Sequence, residues 1–155
     1  MGMDVYGKNK ASEVGKYYRQ SIWGWRPLWS YCCLVAPEIT GKVRYGQSND
    51  GDGLNDEDSK LLSVALGMEI ASGRAALYVN AREMALDDMP KERCWVCGGS
   101  GKRLDPPAIG PGTYPCNGCN KTGHVRPTGC NYRLRLEDIR EFMLFLAECQ
   151  GFEIH

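Results

Sequence analysis

Cys94-Trp95-Val96-Cys97-Gly98-Gly99-Ser100-Gly101, answered by Cys116-Asn117-Gly118-Cys119-Asn120-Lys121-Thr122-Gly123, interrupts a chain that otherwise carries helical patterns. Each half puts two thiols on a tight turn, with Gly99, Gly101 and Gly123 available for backbone conformations that other residues resist. Eighteen residues separate Cys97 from Cys116, within the interval for two paired-cysteine knuckles sharing one zinc ion. Four cysteines saturate a tetrahedral ion, so Cys94, Cys97, Cys116 and Cys119 predict a closed structural site, with no position left for water or substrate. Pro106, Pro107, Pro111 and Pro115 fit a loop joining two strands. One CxxC alone also reads as a redox dithiol, but two pairs with matching glycines favour metal.

Outside this module the periodicity is helical. Ser12 is an N-cap candidate for a short helix with Val14, Tyr17, Tyr18 and Ile22 on its apolar face, and the segment up to Asn9 carries no pattern. Pro27 suits the first turn of a second helix, with Leu28, Tyr31, Cys32 and Val35 in line before Pro37. Asn55 or Asp56 caps a third, with Leu61, Leu62, Ala65, Leu66 and Ile70 as its buried stripe and Gly73 as its stop. A fourth runs from Arg74 to about Asp88 with Leu77, Ala81, Met84 and Ala85 on one side. After the module, Tyr132, Leu134 and Leu136 alternate like an edge strand, and Ile139, Phe142, Met143 and Leu146 mark a last helix that Gly151 ends. The resulting expectation is a mainly α protein: a helical body of residues 1–92 and 129–155, carrying an inserted zinc-stapled β-hairpin or knuckle module at 93–128.

CxxCxGxG is the repeat of the cysteine-rich domain of DnaJ-type co-chaperones, and residues 94–127 resemble two such repeats. The first half fits fully; in the second, Lys121 stands where the repeat has its first glycine. DnaJ proteins carry four repeats and a J domain with a His-Pro-Asp signature, which this chain lacks, so co-chaperone activity does not transfer. Two-repeat fingers also occur in some phage antitermination proteins. The resemblance implies zinc binding and a contact surface. The stretches MDVYGKNKASEVGKYYRQ, WGWRPLW and SNDGDGL look like small uncharacterised proteins of bacteria and their phages, which suggests a phage-related origin.

At 155 residues, 43% hydrophobic and 25% charged, the chain is neither a disordered tail nor two full-sized domains. No apolar run approaches the roughly 18 residues of a membrane span. The N-terminal residues lack a secretory pattern, which predicts a soluble cytoplasmic chain with reduced thiols and no membrane partner. Cys32, Cys33, Cys130 and Cys149 are expected as buried free thiols, and neither His124 nor His155 as a ligand. Net charge is zero in alternating blocks: +4 over 1–47, −6 over 48–92, +4 over 93–128 and −2 over 129–155. Four thiolates around one zinc contribute −2, which brings the third block to about +2, a weak basic patch.

These features predict a non-catalytic protein-interaction or regulatory module, with a macromolecular partner, protein favoured over nucleic acid. Ile109 and Tyr114 in the proline-rich loop are the candidate apolar anchors, with Lys121 and Arg126 as steering charges. The nucleic-acid alternative uses Arg93, Lys102, Arg103, Lys121, His124 and Arg126 against phosphates. A third reading, a small enzyme, would build on Asp50 and Asp52 of the SNDGDG run and on the Trp23, Trp25, Arg26 and Trp29 cluster. That run lays on an EF-hand loop with Ser59 at position 12, where calcium needs a bidentate Glu, so a turn feeding a helix explains it better.

Overall fold

The computed structural model describes residues 2–155, divided into two compact units: Met1–Glu83 with Tyr132–His155, and Met84–Asn131. The finger at 93–128 lies within the second. Helices dominate the first unit, but it also holds a sheet that periodicity did not predict. Strand β1 (Gly2–Gly7) sits between β2 (Tyr17–Ser21) and a C-terminal strand at Phe152–Ile154. Both pairings are antiparallel, with Val5 opposite Tyr18 on one side and Ile154 on the other. Alternation along β1 sends Met3 and Val5 into the core and leaves Tyr6 exposed.

The sheet corrects two expectations. The opening segment is a strand, and Ser12 nucleates a turn instead of a helix: its Oγ accepts from Gly15 N (2.8 Å) and its carbonyl from Lys16 N (3.1 Å). The chain then reverses into β2, burying Tyr18 and exposing Tyr17. The next helix starts earlier than Pro27. Helix α1 (Ile22–Val35) is capped by Ser21, whose Oγ accepts from Gly24 N (3.2 Å), and it contains Pro27. A proline there removes the N–H that would serve the Trp23 carbonyl, a small loss so near a helix start. A short α2 (Pro37–Thr40) follows.

Helix α3 (Asp56–Ala71) is capped by Asn55, whose side chain accepts from Asp58 N (2.8 Å). Asp56, Glu57 and Asp58 occupy its first turn, where the macrodipole favours negative charge. Leu62 and Leu66 are buried, whereas Leu61, expected in the stripe, is half exposed. Helix α4 (Arg74–Asp87) also turns the other way from the expected side. It buries Ala75, Val79 and Leu86, and Leu77, Ala81, Met84 and Ala85 face solvent. Periodicity cannot choose between two apolar faces of one helix. Among the described residues, no single helix is long and apolar enough to cross a membrane.

The strand expected near residue 132 is absent, because other groups take up that backbone. Arg82 donates to the Tyr132 carbonyl (2.8 Å), Arg133 pairs with Glu83, and Arg135 N donates to the Asp138 carboxylate (3.0 Å). Asp138 thereby caps α5 (Leu136–Glu148) and also receives Gln20 Nε2 (3.0 Å) and the Arg135 guanidinium (2.6 Å). Helices α3 and α5 pack closely, and Ser63 donates its hydroxyl to the Met143 carbonyl (2.8 Å). Gly151 ends α5 as expected, but residues 152–154 beyond it pair with β1.

Aromatic rings form the core of this unit. Phe142 has Tyr18 at 5.1 Å, Trp25 at 5.4 Å, Phe145 at 5.9 Å and Phe152 at 6.2 Å. Trp25 and Trp29 are buried core residues, and Trp23 is the exposed tryptophan of the three.

Candidate metal centre

The second unit has almost no hydrocarbon core in its finger. Its buried centre is four sulfurs, with only Val96 and Val125 packed against them. Two short antiparallel ribbons hold the knuckles. Glu92–Arg93 (β3) pairs with His124–Val125 (β6), and Lys102–Arg103 (β4) pairs with Tyr114–Pro115 (β5); the C-terminal strand of the first unit is β7.

The halves are related by an approximate two-fold repeat in detail. Cys94 N donates to Gly123 O (2.9 Å), and Cys116 N donates to Gly101 O (3.0 Å). Ser100 and Thr122 occupy the same repeat position. The Ser100 hydroxyl reaches the carbonyls of Cys97 (2.9 Å) and Lys102 (2.6 Å), and the Thr122 hydroxyl those of Cys119 (2.7 Å) and His124 (2.8 Å). Gly101 and Gly123 have φ of +76° and +78°. A Cβ on Gly101 would lie 2.4 Å from Lys121 O, and one on Gly123 would lie 2.2 Å from Gly99 O. Only glycine fits either place, for backbone conformation and for space. Lys121 occupies its own site with φ 68°, so the departure from the repeat keeps the turn at a local cost of about 1–2 kcal/mol.

The four Sγ atoms all lie within 4.8 Å of one another, with Cys94 to Cys116 at 3.9 Å and Cys97 to Cys119 at 3.7 Å. Zinc–sulfur bonds of about 2.3 Å in a tetrahedron require sulfur–sulfur edges of about 3.8 Å. The donor set therefore fits a tetrahedral thiolate ion, and all four cysteines are buried. Burial works to raise the Cys97 thiol, but the N–H groups of Gly101 and Gly99, with Cys119 and Cys116, outweigh it and hold Cys97 below the ordinary thiol value. Cys116 is pushed up, by burial and then by Cys119. The cradle already favours one thiolate, and Gly123 N also points at Cys119 Sγ (3.2 Å).

Among the described residues this is the one group that could hold a metal, and it includes neither histidine. Cys32, Cys130 and Cys149 are buried free thiols, and burial pushes Cys32 and Cys149 above the ordinary value. Cys33 departs from expectation: it is exposed. The acidic run is committed to structure. Asp52 accepts from Tyr45 N (2.9 Å) and Gly53 N (2.9 Å), its carbonyl accepts from Ile154 N (2.9 Å), and Asp50 is hydrogen-bonded to Ser48.

Ile109 and Tyr114 are both exposed. Their loop is braced: Leu104 N donates to Gly110 O (2.9 Å), Gly110 N to Val96 O (2.9 Å) and Ala108 N to Asp105 O (3.0 Å). The Arg103 guanidinium donates to Asn117 Oδ1 (2.8 Å), Ala108 O (3.1 Å) and Leu104 O (3.3 Å). Arg126 pairs with Asp87 at 3.0 Å. Lys121 borders a hollow of about 460 Å³ with Pro115, Cys116, Asn117 and Asn120. Sequence reading missed Trp95, which is 71% exposed between the first two ligands, because it stood there as a spacer.

Compared with known protein families, curated proteins and solved structures, the chain matches none of them. The likeness to the DnaJ repeat thus rests on the cysteines and glycines of the two knuckles, less the glycine that Lys121 replaces. They suggest a zinc-binding protein.

One zinc ion per chain is the expected stoichiometry, because the remaining cysteines form no second cluster. Elemental analysis of protein purified without added metal checks it. A ratio near zero or near two would defeat the assignment.

Proposed function

We propose that this protein is a non-catalytic, zinc-stabilised interaction module of a regulatory kind, and that its finger presents apolar side chains to a protein partner. The observation that carries the reading is the division of labour on the finger. The four sulfurs close the metal site against substrate, Trp95, Ile109 and Tyr114 stand exposed on a braced frame, and two of the arginines are engaged within the finger's own unit. A braced loop loses little conformational freedom on binding, and exposed aromatics are the side chains that most often dominate protein interfaces. Phosphate recognition would draw on free cations, and two of the six candidate basic groups, Arg103 and Arg126, are engaged by Asn117 and Asp87. Four thiolates suit a reducing compartment such as the cytoplasm.

The test begins with a partner captured from the native host on the zinc-loaded protein. Ile109→Ala with Tyr114→Ala is expected to weaken that complex roughly thirtyfold, a hot-spot loss of about 2 kcal/mol, at unchanged zinc content. Lys121→Ala with Arg126→Ala should chiefly alter its salt dependence. The opposite ranking, with binding lost steeply as salt rises, would replace the protein partner by a nucleic acid.

A further inference from the structure

We infer that the outer face of α3 is the seat of a second copy of this chain, the two α3 helices packing antiparallel about a two-fold axis near Val64. This surface belongs to the first unit and does not depend on the finger's role. Helix α3 buries Leu62, Ser63 and Leu66 on its inner side, yet its outer side carries Leu61, Val64 and Met68, the last two 61% and 62% exposed. A helix that is apolar on both sides is ordinarily covered on both sides. The spacing Glu57, Leu61, Val64, Met68 is a single seam of four, three and four residues.

That seam is its own complement when reversed. About a point between Val64 and Ala65, Leu61 exchanges with Met68 and Glu57 with Ser72, which is the self-matching that an isologous interface needs. Charge selects the direction. Parallel pairing would set the two Glu57 carboxylates, exposed at the start of the seam, against one another. Antiparallel pairing sets each against the C-terminal end of the other helix, where Arg74 keeps 60% of its side chain exposed while bound to Glu69 at 2.5 Å. The two helix dipoles are then also opposed favourably. A specific interface needs roughly 800 Å² per partner, more than one helix seam supplies. At the C-terminal end of α3, Leu34, Leu77 and Tyr78 line a groove of about 400 Å³ beside Glu69 and Arg74 that would add to the contact. Leu77 there is 70% exposed.

Light scattering on the zinc-loaded full chain, across the micromolar range, is expected to give twice the 17.3 kDa chain mass. Val64→Glu with Met68→Glu should return it to the monomer mass with unchanged helix content and zinc ratio. As a second measurement, in a Cys33→Ser background, Val64→Cys should oxidise to a covalent dimer. Glu57→Cys should not, since the antiparallel axis separates its two copies by about 22 Å, far beyond disulfide reach. A wild-type chain that stays monomeric overturns the inference. So does a dimer that survives the double glutamate variant, or a Glu57→Cys chain that cross-links as readily as Val64→Cys.

Discussion

Replacing Cys97 or Cys116 by serine is expected to erase amide-exchange protection across residues 93–128 and to leave the first unit protected. The finger's interior is the sulfur cluster with Val96 and Val125, so it has little hydrocarbon to fall back on once a ligand is lost. Structural zinc in small fingers supplies on the order of 10–16 kcal/mol at neutral pH, and that binding energy is the folding energy. The first unit stands on its own core of more than twenty buried apolar residues. Hydrogen-exchange mass spectrometry on the variants, and on wild-type protein with a chelator, reads the two units separately. Loss spread evenly over the whole chain would mean that both units unfold as one. Unchanged protection in the finger would mean that the sulfurs do not fold it. Because the ligands bind metal as thiolates, acid should compete with the ion and expose the same residues as pH falls.

The largest effect expected in the first unit is that of Phe142→Ala, a loss of about 3–5 kcal/mol. Its ring touches rings from β2, α1, α5 and β7, so truncation opens a cavity where four elements meet and none can close it alone. Total domain stability of about 5–15 kcal/mol makes this a large fraction. Urea unfolding followed by tryptophan fluorescence should show a much lower midpoint with little change in slope. Leu144→Ala, on the exposed side of the same helix, should stay within about 0.5 kcal/mol. Equal shifts for the two variants would contradict a core closed around α5.

What sequence reading found, and what it missed, divides along the range of the interactions. Helix α3 was legible, with Asn55 or Asp56 read as its cap and Asn55 filling that place, because capping and periodicity are decided within a few residues. The cluster of Cys94, Cys97, Cys116 and Cys119 was legible because metal-site chemistry fixes the spacing of its donors. The sheet was not, since β1 gains its partner β7 from nearly 150 residues away and neither strand exceeds six residues. Tyr17 and Tyr18 fit a helical face as well as a strand, and only the pairing with β1 decides between them. The wrong face of α4 and the exposed Leu61 share one cause. Where a helix is apolar on two sides, its pattern no longer says which side meets its own core.

The pairing of β1 with β7 also orders events during synthesis. Both outer strands of the sheet flank β1, but β7 is encoded after the whole finger, so the first unit cannot complete its sheet while the finger is being made. All four cysteines of the cluster have been added by residue 119, and ribosomes then need on the order of seconds to reach residues 152–154. Until those residues are added, Val5 waits for the strand that will cover one side of it.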